Sequence, residues 1–153
     1  MSGIAGAQQN TTGTDKAVVE KIAQDNLYLL EAGKLAEQMA DGEDIKDLAW
    51  KEVRDHELIH RELATLASAN NISLASKLIP ELQQRLERMK SASGRDFDNA
   101  YLAAMVTAHK ADEQILTHEA TEGGSSEYKS FIARTEAIFK RHLAVLQSSD
   151  AKD

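Results

Sequence analysis

The stretch EVRDHELIH, residues 52 to 60, predicts how the rest of the chain is arranged. On an α-helix, its four-residue spacing turns Glu52, His56 and His60 towards one face. Apolar residues at helical intervals share or flank that face, so the three polar side chains are expected to point into a core. The apolar residues are Ile45, Ala49, Val53, Ile59, Leu63 and Ala67.

Histidines recur on the apolar faces of two later segments. MVTAH ends in His109 and FKRH ends in His142, and each histidine continues the apolar stripe of its own segment. A single inward histidine is usually satisfied by one hydrogen bond within a core, so His56 alone would indicate little. Three inward histidines on three helices favour a shared polar site.

The composition predicts one all-α domain. Of the 153 residues, 42% are hydrophobic and 28% are charged, and both signs of charge are mixed along each segment. This length is enough for a single hydrophobic core. The absence of cysteine excludes disulfides and thiolate metal ligands.

The charge of the chain limits its partners. A formal net charge of −7, without any run of basic residues, argues against nucleic acid and against anionic membranes. No apolar run is long enough to cross a bilayer, so we also expect no membrane insertion. The oligomeric state stays open, and a homo-oligomer is compatible with the sequence.

Caps and breakers divide the chain into four long helices and one short helix. The long helices are predicted from Thr14 or Asp15 to about Ala40, from Asp44 to about Ala69, from Asp96 to the Gly123-Gly124 pair, and from Ser125 or Ser126 onwards. The short helix, from Pro80 to Lys90, lies in the connection between the second and third long helices. This order predicts a ferritin-like up-down four-helix bundle with a long crossover. Residues 15–148 form its single domain, between a flexible lead (1–14) and a flexible tail (149–153).

Counting residues from each turn predicts which side chains lie at the same level. If the first turn is centred near residue 43, Glu31 lies level with His56. A second turn centred near residue 125 puts His109 level with His142. The long crossover lets the second and third long helices run parallel, so all four groups are expected to fall in one layer of the bundle.

One carboxylate and three imidazoles suit a single divalent metal ion: zinc, or iron or manganese. Glu52, His60 and Asp112, or its neighbour Glu113, are further candidates as ligands or as partners of ligands. A diiron site is a poor match, because such sites use Glu-x-x-His pairs and the last helix has no inward carboxylate. A metal-free network of buried hydrogen bonds is the alternative.

Several stretches together resemble one known family. They are EAGKLAEQMA at 31–40, VRDH at 53–56, FDNAYLAAMVTAH at 97–109 and HLAVL at 142–146. The chain resembles the bacterial family called domain of unknown function 4142, a ferritin-like group. The polar core positions of that family that are kept here are Glu31, Asp55, His56, Asp98, Tyr101, His109 and His142. The chain departs from the family at Leu29, Glu52 and His60, where an acidic residue, Met and Asn are usual.

The resemblance implies a protein of uncharacterised activity, and whether it is an enzyme stays open. Family members typically carry an export signal, so the resemblance implies a periplasmic protein if the chain is a processed form and a cytoplasmic one otherwise. The sequence therefore predicts a ferritin-like bundle that binds a divalent metal ion in its core. The alternative is a metal-free, stress-related or envelope-associated bundle that acts through protein–protein interaction. Leu30, Trp50 and Leu58 are the apolar residues that its surface would use.

Overall fold

The computed structural model describes residues 13–122 and 124–150, and these residues form five α-helices and no strand. The helices are α1 (Gly13–Met39), α2 (Glu43–Ala69), α3 (Pro80–Lys90), α4 (Gly94–Glu122) and α5 (Ser126–Asp150). The predicted bundle of four long helices, with a short helix in the crossover, is confirmed. None of the described helices is long and apolar enough to cross a membrane.

The predicted terminal segments fall mostly outside this description. Residues 1–12 of the predicted lead and residues 151–153 of the predicted tail lie outside the described part of the chain. The last helix continues to Asp150, so residues 149 and 150, predicted as tail, are helical.

Two hairpins build the bundle. The most extensive helix contacts are those of α1 with α2 and of α4 with α5, while α1 also packs along α4 and α3 closes one side. Gly33 brings α1 close to α2, because a Cβ atom at this position would lie only 2.8 Å from the Val53 Cγ2 atom. Large side chains from all four long helices fill the space between the hairpins, among them Leu29, Ile59, Tyr101, Met105, Ile132 and Phe139.

The turn between α1 and α2 is held by a carboxylate from α4. Asp98 accepts hydrogen bonds from the backbone N–H groups of Asp41 and Gly42, each at 2.9 Å. No side chain caps α2, whose first helical residue is Glu43, although the sequence predicted Asp44 at its start. Gly42 fits this tight turn, since a Cβ atom there would lie 2.6 Å from the Asp44 carboxylate. One buried side chain therefore fixes the first hairpin and joins it to the second.

Replacing Asp98 with Ala is expected to lower the free energy of unfolding by about 2 kcal/mol, because two backbone N–H groups lose a charged acceptor. Asp96→Ala is the matched control, since Asp96 is exposed in the first turn of the same helix. Urea unfolding followed by circular dichroism measures both variants. Equal effects of the two substitutions would contradict the role given to Asp98.

Candidate metal centre

Glu52, His56, His109 and His142 meet in the interior of the bundle, and all four are buried. The Glu52 Oε2 atom lies 3.2 Å from His56 Nε2, 3.2 Å from His109 Nε2 and 3.0 Å from His142 Nδ1. The four ligand atoms all lie within 4.8 Å of one another. We call these four residues the Glu/His cluster. Three imidazole nitrogens thus surround a single carboxylate oxygen.

Three helices supply the Glu/His cluster. Glu52 and His56 lie one turn apart on α2, while His109 comes from α4 and His142 from α5. His109 Nε2 lies 3.3 Å from His142 Nδ1, which confirms that these two residues are level within their hairpin. Phe139 packs against the rings of His56 and His109, with ring centres 5.4 and 5.0 Å apart, and closes the apolar side of the cluster.

Asn26 of α1 fixes the His56 ring. The amide nitrogen of Asn26 donates to the His56 backbone carbonyl at 3.0 Å, which leaves its amide oxygen facing His56 Nδ1 at 2.7 Å. Because that oxygen can only accept, Nδ1 must carry the proton. The Nε2 atom of a neutral His56 then presents a lone pair to the centre of the cluster.

The other two histidines are fixed in the same way. His109 Nδ1 donates to the Met105 carbonyl oxygen at 2.8 Å, and His142 Nε2 donates to Asp55 Oδ2 at 2.7 Å. Both partners are acceptors only, so in the neutral rings His109 Nε2 and His142 Nδ1 are the unprotonated atoms. Metal-binding histidines almost always donate their second ring N–H to such an acceptor. All three rings of the Glu/His cluster follow this pattern.

The cluster has no positive charge when all three of its imidazole rings are neutral. With three neutral rings, three nitrogen lone pairs and a carboxylate oxygen would face one another without any hydrogen between them. A buried carboxylate needs compensating charge or hydrogen bonds, since burying it alone is very costly. Either protons on the rings or a metal ion can supply that charge. The buried Glu/His cluster could therefore hold a metal ion.

The pKa values show where protons reside when no metal is bound. Burial would raise the pKa of the Glu52 carboxyl, but the neighbouring imidazoles of His109, His142 and His56, which can donate to it when protonated, hold that pKa well below its usual range. Burial lowers the pKa of His56 to about 4, against the opposing influence of Glu52. Burial also disfavours the charged form of His142, but Glu52 and Asp55 raise its pKa above the usual value. Glu52 is thus ionised, and His142 holds a proton more strongly than His56.

The distances in the cluster resemble those of a four-coordinate ion. Bonds of about 2.0 to 2.1 Å in a tetrahedral zinc site place neighbouring ligand atoms about 3.3 Å apart. Four distances in the cluster lie between 3.0 and 3.3 Å. The four ligand atoms are therefore close enough together to share one ion.

Glu31 does not lie in the layer of the three histidines, contrary to the prediction. Its side chain is 43% exposed and lies 3.9 Å from the Lys34 ammonium group. Asn26 lies level with His56 instead, which places the centre of the first turn at residue 41, midway between them, rather than near 43. An error of two residues in the turn centre moves the level position by four residues, about one helical turn.

His60 is exposed, so the structure corrects its predicted inward position. It lines a surface groove that Glu31 also lines, away from the Glu/His cluster. Each four-residue step rotates a helix position by about 40°, so Glu52 and His60 lie on opposite sides of His56. Since α4 and α5 lie on the Glu52 side, only Glu52 reaches the centre.

Asp112 is buried but belongs to a different polar pair. It hydrogen-bonds to Asp25 of α1, and Asp25 accepts a hydrogen bond from Lys21 at 2.8 Å. Burial and the neighbouring Asp25 carboxyl raise the pKa of Asp112 to about 9. Glu113, beside it, is only partly buried and lines a groove on the outer surface. Neither residue belongs to the four-residue group that could hold an ion.

The apolar residues named for a protein–protein surface separate into two groups. Leu30 is buried, with 6% of its surface exposed, whereas Trp50 and Leu58 are 50% and 42% exposed. Leu30 therefore cannot contribute to an interaction surface. Two of the three predicted residues remain available to a partner.

Comparison with known proteins agrees with this architecture. The family described as "Domain of unknown function (DUF4142)" matches residues 2–148. The chain belongs to this family. The resemblance predicted from the sequence is thus confirmed, and the Glu/His cluster lies within the matched region. No curated protein is significantly similar to the chain.

A solved structure shares the fold. The crystal structure of a DUF305 fragment from Deinococcus radiodurans superposes with a TM-score of 0.83 at 8% sequence identity. The similarity covers 94% of this chain and 99% of the fragment. At this identity the likeness extends to the helical fold and no further.

The Asp112 proton should make stability fall as the pH rises. The folded state holds this proton up to about pH 9, whereas an unfolded aspartate loses it near its ordinary value of 3.8. Between these limits the folded state binds the extra proton, so each pH unit costs up to about 1.4 kcal/mol of stability. In Asp112→Asn, the amide can still donate to Asp25 but does not titrate. The free energy of unfolding of this variant, relative to that of the parent, is therefore expected to increase from pH 5 to pH 8.

Urea unfolding at several pH values measures the difference in free energy of unfolding between variant and parent. The contributions of the histidines, which both proteins share, cancel in this difference. Asp47→Asn, at an exposed position of α2, is the control and should follow the parent at every pH. Parallel stability curves for Asp112→Asn and the parent would contradict a retained proton on Asp112.

Proposed function

We propose that this protein binds one divalent metal ion, with zinc as the best fit, through Glu52, His56, His109 and His142. The observation that carries the proposal is the orientation of the three rings. Asn26, the Met105 carbonyl and Asp55 hold the outer ring nitrogens, so all three inner nitrogens face the Glu52 carboxylate. Partners that fix ring orientation in this way are a regular feature of histidine metal sites.

The ligand set favours zinc and a single ion. Three imidazoles and one carboxylate are nitrogen and oxygen ligands that zinc accepts in a four-coordinate site. A diiron centre needs several bridging carboxylates, and Glu52 is the one carboxylate of the cluster. Iron and manganese, which the sequence also suggested, are commonly bound in sites with more coordination positions than these four side chains offer.

Metal binding would join the two hairpins. Glu52 and His56 belong to the α1–α2 hairpin, and His109 and His142 belong to the α4–α5 hairpin. An ion bound to all four would hold the hairpins together at mid-height, where the cluster otherwise depends on protons. Four protein ligands are typical of structural zinc sites, whereas catalytic sites keep a position for water. We therefore propose binding and stabilisation, with no reaction assigned to the four ligands alone.

Zinc should bind to tag-free protein with a stoichiometry of one per chain, and His56→Gln should abolish this binding. At a free zinc concentration 100 times the Kd, binding adds about 2.7 kcal/mol of stability, which corresponds to a rise in Tm of roughly 5 to 10 °C. Equilibrium dialysis with metal analysis gives the stoichiometry. Thermal unfolding with zinc and with excess chelator gives the stabilisation.

His60→Gln is the matched control, since it makes the same change one turn along α2 at an exposed position. Glu52→Gln and Glu31→Gln form a second pair, of which only Glu52→Gln should lose zinc. Circular dichroism establishes that each variant is folded. Zinc retained by His56→Gln, or a parent Tm unaffected by either zinc or chelator, would refute the proposed site.

A further inference from the structure

A surface groove opens directly above the Glu/His cluster. It encloses about 310 Å³ between α2 and α5, and Glu52 and His142 form part of its wall. This volume is at the lower end of the range for sites that bind small molecules. A small molecule bound in the groove would therefore lie next to the cluster.

Three cationic side chains line the groove: Lys51, Arg54 and Arg141. Neither Lys51 nor Arg54 forms an ion pair in the part of the chain that the structure describes. Of the two acids in the groove wall, Glu52 faces the three imidazole nitrogens, and Asp55 accepts from His142 at 2.7 Å and lies 3.5 Å from Arg141, so the three cations outnumber the two acids. A local excess of positive charge in a chain with a net charge of −7 favours an anionic ligand.

The groove also has an apolar wall. Trp50 and Val145, two of the few large apolar side chains exposed on the described surface, both line it, with 50% and 47% of their surface accessible. The Arg54 guanidinium lies 4.6 Å from the centre of the Trp50 ring, so the indole also holds one of the cations in place. An anion with a short hydrocarbon part would cover the apolar wall and meet the cations together.

We propose that this groove binds a small organic carboxylate that carries a short apolar chain. The carboxylate interacts with Arg141, Arg54 and Lys51, and the chain packs against Trp50 and Val145. The inference rests on the proposed function only in placing the bound carboxylate beside a metal ion. The groove itself exists without the ion, so the metal-free protein is expected to bind the same class of molecule.

Trp50 is the sole tryptophan of the chain, and its fluorescence reports directly on the groove. Titration with hexanoate should change this fluorescence saturably in both metal-free and zinc-loaded protein. Hexanamide keeps the shape of hexanoate but not its charge, and acetate keeps the charge but not the chain. Each should bind at least about tenfold more weakly than hexanoate. Calorimetry with hexanoate provides a second measurement that does not depend on the indole.

Arg141→Gln should weaken hexanoate binding about tenfold, because it removes a charged donor from the groove. Arg134→Gln is the matched control. Arg134 lies two turns earlier on α5 and pairs with Glu62 of α2 at 3.6 Å, as Arg141 pairs with Asp55 at 3.5 Å, but it does not line the groove. Arg54→Gln, measured by calorimetry, is a second groove variant in case Arg141→Gln proves unstable.

The outcomes separate the two proposals. Hexanoate binding in a protein that takes up no zinc would support the groove and refute the metal site, and zinc binding without any hexanoate binding would do the reverse. Equal affinities for hexanoate and hexanamide would overturn the groove proposal. Equal losses in Arg141→Gln and Arg134→Gln would overturn it as well, because the effect would then not come from the groove.

Discussion

A buried carboxylate that must be compensated is the constraint on which the interior of this bundle depends. Glu52 Oε2 lies within 3.2 Å of one nitrogen from each of three histidines, and these histidines come from both hairpins. An ionised carboxylate inside a protein is tolerated only when partners surround it. The hairpins can therefore pack at this level only in the register that brings His109 and His142 to Glu52. In the same register, Asn26 contacts His56 and Asp55 contacts His142.

The helices were predictable because their signals are local. Pro80 at the first position and an apolar side at helical spacing were enough to place the short helix over Pro80–Lys90, as observed. The first turn was less predictable, since its backbone amides are capped by Asp98, more than 50 residues along the chain. A cap from a distant helix leaves no trace in the turn sequence itself. The centre of this turn was therefore predicted two residues too late, and Glu31 was wrongly predicted to lie level with His56.

The residues of the candidate site were also predictable only where the signal is local. The three inward histidines and the level pair His109 and His142 came from periodicity and from a correctly centred second turn. Periodicity could not decide between Glu52 and His60, because both lie one turn from His56. Only the positions of α4 and α5 determine which of the two faces inwards. Asn26 was missed because the level count pointed one turn away, and a correct turn centre at residue 41 would have found it.

Asp55 links the interior of the protein to its surface. Its Oδ2 atom accepts the hydrogen bond that orients His142 and also lies 3.5 Å from Arg141 in the groove. An anion bound in the proposed groove site that drew Arg141 towards itself would remove positive charge from Asp55, and a less neutralised Asp55 would attract the His142 Nε2–H more strongly. Greater electron density on the ring would then make His142 Nδ1 a stronger base and a stronger ligand for the proposed metal ion. Asp55 contacts both His142 and Arg141, so one carboxylate would couple the two proposed sites.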